Sequence, residues 1–374
     1  MIVRASPFHS RAAASNAFNQ WALRNNFTLA QNFGDPLQEA LAAHARVVAI
    51  DISWRWRVLF QGARAGDFLA QLMTRDARLL EPGQSLKALW LNDSGAVRGA
   101  GVVVRFASDK FLLVSSAADM SWIANAAAIF GVAVREMTEE EGGLALIGPY
   151  ARSVLDATGL AADIEPLGFR KLFWRGLDVT VSRWGEQSGY EIWCKADDCL
   201  IVWDRIFGAG VPYGLQPAGL DAADILDVEA GITRPLRDYL PAQDGFADTP
   251  TPASLGLASL IDPAHAAFNG RAACMASEKS EARILVGVEI ESDTPAPFAS
   301  LTHRDWMVGR TLTSVYSPVL RRAIALAQID RAISEIGTLL NLTVPASLIR
   351  TAALSGSARI CSLPFLSQSD PIAP

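Results

Sequence analysis

The chain has 374 residues, of which half are apolar and 19% are charged, and its formal net charge is −6. This length is enough for two or three domains, and the composition is that of an ordinary globular protein. The negative charge and the lack of a basic cluster argue against a surface for nucleic acid or anionic membranes. No apolar run approaches the ~20 residues that cross a bilayer, and Met1 to Gln20 lack the apolar core of a signal peptide. We therefore expect a cytoplasmic protein with neither membrane nor nucleic-acid partners.

The first part of the chain alternates between helical and extended patterns. Asp35-Pro36 is a helix start signal, and Asn92-Asp93-Ser94-Gly95 predicts a tight turn between two strands. The predicted helices are 35–46, 63–72 and 121–130, and the predicted strands are 47–51, 57–60, 83–91, 100–106, 111–115 and 132–137. Helices placed between paired short strands indicate an α+β protein.

The second part of the chain continues this pattern and ends in a β-rich region. Strands are predicted at 144–147, 177–183 and 190–194, and helices at 150–158, 197–208 and 220–229. Residues 244–252 are rich in Asp, Pro and Thr and predict a loop. From about residue 281 the predicted strands are 284–290, 310–315, 323–329 and 351–360.

The cysteines do not form a motif of known chemistry. None of the four, Cys194, Cys199, Cys274 and Cys361, stands in a C-x-x-C pair, and no histidine lies near the first two. Buried thiols are therefore predicted, and no metal site is expected.

Several short motifs occur in an order that is similar to a known family. The first is Trp184-Gly185-Glu186-Gln187-Ser188-Gly189-Tyr190-Glu191-Ile192-Trp193. Pro212 to Leu220 and Val228-Glu229-Ala230-Gly231 follow it, and Asp51-Ile52-Ser53 and Tyr316-Ser317-Pro318 lie before and after. Together they resemble the aminomethyltransferase family, the glycine cleavage T-protein and its relatives. The resemblance implies tetrahydrofolate as cofactor and a three-domain α+β fold around a central channel.

The same resemblance implies domain boundaries. The first domain is expected to be discontinuous, with residues 1–55 plus 141–245, and the second to be an insertion of residues 56–140. Residues 280–374 are expected to form the β-rich third domain.

The resemblance places the pterin-binding residues in two of these motifs. Glu191 of Gly-Tyr-Glu matches the residue that holds the pterin, and a carboxylate can accept two N–H bonds from that ring. Trp184, Tyr190 and Glu229 are placed with it as cofactor-binding residues. The alternatives are a strand-edge surface carboxylate for Glu191, core packing for Trp184 and a structural network for Glu229.

The chain departs from the family where the carbon transfer is performed. Gly99 and Ala100 stand where the family has two aspartates, so neither position can accept a proton. Lys87 replaces an aromatic residue of the folate site, and Asp227 replaces an arginine. A carboxylate at position 227 is expected to repel the acidic tail of folate.

The segment Trp54-Arg55-Trp56-Arg57 gives the candidate substrate-binding residues. In an extended conformation the tryptophans would share one face, suited to an aromatic ring, and the arginines the other, suited to a carboxylate or phenolate. The alternative is a buried tryptophan pair with solvated arginines. Tyr239 lies in a segment that borders the channel in the family, so it joins the substrate-binding set.

Three residues are candidates for acid, base or electrostatic catalysis: Lys87, Arg98 and His9. Lys87 could equally be a solvated strand residue, and Arg98, beside a turn, could face water. His9 lies in the N-terminal segment that often covers the channel in the family.

These features leave three functions open for a protein whose partner is a small molecule. The first is one-carbon removal from a small aromatic substrate by tetrahydrofolate-dependent O-demethylation. The second is a folate-independent lyase that releases formaldehyde from a hydroxymethyl-bearing aromatic and needs no cofactor. The third is a non-catalytic folate-binding protein.

Overall fold

The computed structural model describes residues 3–117, 119–160, 163–184, 189–243, 250–344 and 354–366. The helices are α1 (His9–Ser15), α2 (Pro36–Ala45), α3 (Ala65–Leu72), α4 (Met120–Ala128), α5 (Ala151–Thr158), α6 (Cys199–Gly210), α7 (Leu220–Glu229) and α8 (Arg271–Ser280). The strands are β1 (Arg4–Ala5), β2 (Trp21–Arg24), β3 (Phe27–Ala30), β4 (Val48–Asp51), β5 (Trp56–Gln61), β6 (Ser85–Leu91), β7 (Val97–Ala107), β8 (Lys110–Ser115), β9 (Ala133–Glu136), β10 (Glu141–Ile147), β11 (Phe169–Trp174), β12 (Leu177–Ser182), β13 (Gly189–Lys195), β14 (Gln216–Ala218), β15 (Arg283–Ile290), β16 (Ser300–His303), β17 (Trp306–Ser317), β18 (Arg322–Asp330), β19 (Leu339–Val344) and β20 (Leu354–Cys361).

The chain divides into two compact units. The first comprises Met1–Leu89 and Ala100–Ala223, and the second comprises Trp90–Gly99 and Asp224–Pro374. Three sheets include residues of the first unit, in the strand orders β1-β3-β2, β11-β12-β13-β10-β4-β14 and β6-β7-β8-β5-β9. None of the described helices has the length and apolar character that crossing a membrane requires.

The core of the first unit lies on one face of the six-stranded sheet. Val181 on β12 and Ile192 on β13 pack there against Val154 of α5 and Val202 of α6. Because side chains alternate between the faces of a strand, the neighbouring residues of β12 and β13 point to the opposite face. That opposite face carries the candidate site.

The second unit is built on a closed barrel with the strand order β15-β18-β17-β16-β19-β20. Its interior is an apolar cluster that includes Val288, Leu301, Ala325, Leu340 and Ile360. A closed barrel leaves no unpaired strand edge, which is the arrangement that best protects strand hydrogen bonds.

Two local predictions are confirmed in detail. The Asp35 carboxylate accepts hydrogen bonds from the backbone N–H groups of Leu37 and Gln38, with Pro36 as the first helical residue of α2. The turn at 92–95 connects β6 to β7, and Gly95 has φ = +79°. A Cβ at Gly95 would lie 2.6 Å from the Cys274 backbone nitrogen, so both conformation and space require glycine.

The sequence patterns missed several elements. The N-terminal strands β1 to β3, the strand β11, the helix α8 and the barrel strands β16 and β19 were not predicted. On β19 only every second residue is buried, a weak signal over six residues. The predicted loop at 244–252 falls largely outside the described residues, as do the first residues of the predicted strand at 351–360. The three-domain division stays a prediction.

Candidate functional site

A polar site forms on the face of the six-stranded sheet that is turned away from α5 and α6. Strand register sets Ser182 of β12 opposite Glu191 of β13, and Glu191 opposite Ala145 of β10. Trp193 lies two residues beyond Glu191 on the same face, opposite Gly143. A Cβ at Gly143 would lie 2.6 Å from the Trp193 ring, so the indole occupies space that a larger residue would fill.

Glu191 is held by two partners within the chain. The Arg55 Nη1 donates to Oε1 at 2.5 Å, and the Trp193 Nε1 donates to Oε2 at 3.1 Å. Glu191 is only 2% exposed. The alternative of a surface carboxylate is therefore excluded, and the negative charge is already compensated by a guanidinium.

Arg57 forms a second buried ion pair beside the first. Its guanidinium pairs with the Glu141 carboxylate and lies over the Trp193 ring, 4.2 Å from the centroid. Burial lowers the pKa of Arg57, and the Glu141 and Glu191 carboxylates oppose that shift. The interpretation of Arg57 as a solvated residue is wrong, since its exposure is 3%.

Aromatic residues border this polar site. Phe169 lies opposite Ser182 in the register of β11 and β12. Its ring is 5.5 Å from the rings of both Phe106 and Trp184. The Lys171 ammonium lies 3.8 Å from the centroid of Phe106, and desolvation lowers the pKa of this lysine.

Five residues of this site were not predicted from the sequence: Trp193, Ser182, Glu141, Phe169 and Lys171. One signal was available for the first of these, because a residue two positions after Glu191 on a strand must share its face. The others come from strands β10, β11 and β12, and their approach depends on sheet pairing.

The predicted residues of the first unit take different positions. Tyr190 packs on the opposite face of the sheet from Glu191, against the apolar core. Trp54 is buried with Phe27, Leu29 and Leu220, while Trp56 begins β5 and is half-buried. Positions 54 and 55 precede that strand, so the expected alternation over 54–57 does not form.

The two remaining predicted residues of this unit are Lys87 and Trp184. Lys87 is half-buried on β6. Trp184 is 1% exposed, next to Phe169.

A pocket of the first unit lies beside His9. The pocket has an empty volume of about 360 Å³, which includes solvent at its mouth, and Asp51, Trp21 and Trp203 are among its lining residues. The His9 ring packs against the Trp21 ring with centroids 4.4 Å apart and a tilt of 33°, and its buried Nδ1 has no partner among the described residues. Asp51 accepts hydrogen bonds from the Ser6 hydroxyl and, at 2.9 Å, from the Ser53 N–H.

Asp51 gives this pocket a testable pH dependence. Burial raises the pKa of Asp51 above its ordinary value, and the bonds from Ser6 and Ser53 oppose the shift. A carboxyl group whose pKa is higher in the folded than in the unfolded protein stabilises the fold when it is protonated. This contribution is complete below the unfolded-state pKa and is lost as the pH rises through the folded-state pKa. Asp51→Asn is therefore expected to raise the urea midpoint at about pH 8 and to leave it unchanged near pH 4. A midpoint that falls equally at both pH values would contradict this expectation.

The second unit contains the other predicted residues. The Ser317 hydroxyl donates to Glu229 Oε1 at 2.5 Å, and Glu229 is 1% exposed. This burial and pairing fit the alternative in which Glu229 belongs to a structural network. Tyr239 is buried, its hydroxyl has no partner in the described part of the chain, and burial raises its pKa. Arg98 is buried on β7 rather than turned to water.

Asp227 is paired within the chain, and the expected repulsion of a folate tail stays a prediction. Arg234 forms a bidentate pair with it, through Nε at 2.6 Å and Nη2 at 2.8 Å. Arg237 Nη1 adds a third contact at 3.3 Å. Arg237 also pairs with Asp224 and Asp238, so two guanidiniums are shared among three carboxylates. The charge of Asp227 is thus held in a network of ion pairs within the second unit.

The packing around Gly99 leaves no room for the aspartate that the resemblance implies at this position. A Cβ at Gly99 would overlap the Trp90 ring, which is fully buried in the same unit. An aspartate at position 99 would therefore require the indole to move.

Comparisons with known proteins identify the family. The GCVT N-terminal domain family matches residues 7–262. An aminomethyltransferase of Clostridium botulinum is 30% identical over 342 residues, which cover 88% of this chain and 90% of that protein. A trimethylamine-oxide aldolase of Ruegeria pomeroyi is 28% identical over 357 residues, which cover 90% of this chain and 44% of that protein.

The fold is also that of a solved family member. The crystal structure of glycine cleavage system aminomethyltransferase T from Bartonella henselae matches with a TM-score of 0.86 at 22% identity, over 98% of this chain and 99% of that chain. The predicted α+β aminomethyltransferase fold is confirmed. The relatives are enzymes of one-carbon transfer or release, and the enzyme class predicted from the motifs is confirmed with them. The chain therefore belongs to the aminomethyltransferase family of the glycine cleavage T-protein.

Proposed function

We propose that this enzyme removes a one-carbon group from a small aromatic substrate by releasing formaldehyde from a hydroxymethyl group, without tetrahydrofolate. The observation that carries the proposal is the Arg55–Glu191 ion pair. The residue that the family resemblance assigns to the pterin is already engaged inside the protein.

The residues present do not fit tetrahydrofolate in the way the resemblance implies. Each Glu191 oxygen already has a donor within the chain, one of them a guanidinium. A pterin would therefore have to reach a buried carboxylate whose charge is already compensated, which weakens its attraction for neutral N–H donors. Gly99 and Ala100 supply no carboxylate for a transfer step.

Release of formaldehyde balances without a co-reactant. A base takes the hydroxyl proton, the carbon–carbon bond to the ring breaks, and the electron pair stays on the ring carbon. Formaldehyde leaves, and the proton returns to that carbon. The step needs one group that can take and return a proton, and cations that stabilise the negative charge as it develops.

The polar site contains both kinds of group. Lys171 is an exposed residue of β11 whose ammonium lies over the Phe106 ring and whose pKa is lowered by desolvation, and it is our candidate for exchanging the proton. Arg55 and Arg57 are the cations. His9, Lys87 and Arg98 keep the acid–base or electrostatic roles proposed from the sequence as secondary candidates. A relative named as a trimethylamine-oxide aldolase, of which this chain covers 44%, supports cleavage as a candidate reaction.

Tetrahydrofolate-dependent O-demethylation is the second candidate. The retained Glu191 and the similarity to aminomethyltransferases over most of the chain favour it. It requires the Arg55–Glu191 pair to open when the cofactor binds.

The Arg55→Met variant separates these candidates. Methionine removes the guanidinium while keeping an unbranched side chain of similar reach. We expect calorimetry to show at least tenfold tighter binding of tetrahydrofolate to this variant than to the wild type, because Glu191 is then free to accept N–H bonds. Saturable wild-type binding that Arg55→Met does not improve would favour the second candidate.

The direct test of the proposed function is a formaldehyde assay. The wild-type enzyme is incubated with hydroxymethylbenzoates, with and without tetrahydrofolate, and methoxybenzoates are run in parallel. Formaldehyde release that does not depend on folate supports the lyase. Methyl-folate formed from the methoxybenzoates alone would show the demethylase instead.

A further inference from the structure

The face around Glu191 holds buried hydrogen-bond donors that lack acceptors. Within the described ranges, Arg55 Nε, Arg57 Nε and Nη1, Ser182 Oγ and Trp184 Nε1 are buried without a partner. Ser182 is fully buried, and Arg57 is 3% exposed. Buried donors are almost always paired in native proteins, so a cluster of unpaired ones indicates a bound acceptor.

Several of these donors lie close to Glu191. Arg55 and Trp193 both donate to Glu191, and Arg57 lies over the Trp193 ring. Ser182 faces Glu191 directly across the β12–β13 pair, where side chains on one face come within about 5.5 Å. A single small group can therefore meet several of them.

The unpartnered donors favour an acceptor that guanidiniums bind well. The charges of Arg55 and Arg57 are compensated by Glu191 and Glu141, but Nε of both arginines and Nη1 of Arg57 have no partner among the described residues. The missing acceptor is thus best supplied by a group with one negative charge and two oxygens, which a guanidinium fork binds well.

An apolar surface of mutually tilted aromatic rings adjoins the donors, with interplanar angles of 76° and 59°. Phe169 is the direct neighbour of Ser182, and its ring contacts both Trp184 and Phe106. Aromatic rings pack on such a surface in offset or tilted arrangements.

We propose that Arg55, Arg57 and Ser182 form a carboxylate subsite, and that the substrate is an aromatic carboxylate whose ring packs on Phe169 and Trp184. This assignment rests on the function proposed above and specifies its substrate class. Glu191 then acts as a positioning residue, because its ion pair fixes the guanidinium of Arg55 while leaving Nε available.

The test is calorimetric titration of the full chain with sodium benzoate, with benzamide as the neutral isostere and acetate as the ring-free carboxylate. We expect saturable benzoate binding at least tenfold tighter than that of either control. In Ser182→Ala we expect benzoate affinity to fall at least fivefold while Tm stays the same or rises, because the lost hydroxyl has no partner in the free protein.

Ser115→Ala is the matched control. Ser115 is also a buried serine, but its single O–H has acceptors within reach, the backbone carbonyls of Ala100 and Ala117 at 2.8 and 2.6 Å. We expect this variant to have a lower Tm and unchanged benzoate affinity.

Three results would overturn the proposal: no saturable benzoate binding, equal affinity for benzoate and benzamide, or a Ser182→Ala variant with lower Tm and wild-type affinity. Equal affinity for acetate and benzoate would contradict the packing of an aromatic ring on Phe169 and Trp184. Binding is measured without turnover, so a subsite that behaves as expected while hydroxymethylbenzoates release no formaldehyde would contradict only the proposed function. Release of formaldehyde from neutral aromatics as fast as from carboxylates would contradict only the subsite.

Discussion

Replacing Glu191 with alanine is expected to lower the free energy of unfolding by about 3–5 kcal/mol. The Glu191 side chain is 3% exposed and its ion-pair partner Arg55 is 13% exposed, so solvent cannot replace the lost carboxylate easily. The Trp193 indole N–H loses its acceptor in the same change. Urea denaturation followed by tryptophan fluorescence measures the difference.

A double variant shows whether this loss reflects the ion pair. Removing both charges together, as in Arg55→Met with Glu191→Leu, is expected to be less destabilising than Glu191→Ala, because apolar replacement of a buried pair is often close to neutral. The coupling energy of the double-mutant cycle should be about 0.5–3 kcal/mol. A Glu191→Ala variant as stable as the wild type would contradict the buried ion pair and return Glu191 to the role of a surface residue.

Substitution of Gly143 by alanine is expected to destabilise the chain by about 1–3 kcal/mol and to abolish activity. The new Cβ would lie 2.6 Å from two atoms of the Trp193 ring, which is buried and cannot turn into solvent. Movement of the indole withdraws its N–H from Glu191 and displaces the ring beneath Arg57. A small change on β10 is therefore expected to disturb both ion pairs of the site.

Gly208 offers the matched control. It lies within α6, and a Cβ there would meet nothing within 4 Å. Gly208→Ala is expected to stabilise the chain by about 0.5–1 kcal/mol, because alanine loses less conformational freedom in a helix. The urea midpoints of the two variants should move in opposite directions from the wild-type midpoint. A Gly143→Ala variant as stable and active as the wild type would show that Trp193 can be repositioned at no cost.

Local patterns predicted a large part of the fold. The start of α2 at Asp35-Pro36, the turn at 92–95 and the helix at 220–229 all lie where the sequence placed them. Each of these depends on groups within a few residues of each other, such as a capping carboxylate or a glycine with positive φ. The strands that were missed, such as β19, depend on neighbours distant in sequence for their burial and pairing.

The candidate site was predictable only in part. Glu191 was identified from the motif, and Arg55 and Arg57 from an unusual local composition. Neither signal showed that Arg55 would pair with Glu191, a residue 136 positions away. In the same way, Asp227 appeared as an open charge because its partner Arg234 becomes a neighbour only when the chain turns back after α7.

The sequence by itself determined the family, the α+β class and which chemical groups the chain carries. These follow from the order of short motifs and from periodicities that act over one or two turns of structure. Only the tertiary structure decided which of those groups neutralise each other and which remain without partners. Hydrogen bonds and ion pairs act over a few ångströms, so the chemistry of a side chain such as Glu191 depends on the residues that folding brings beside it.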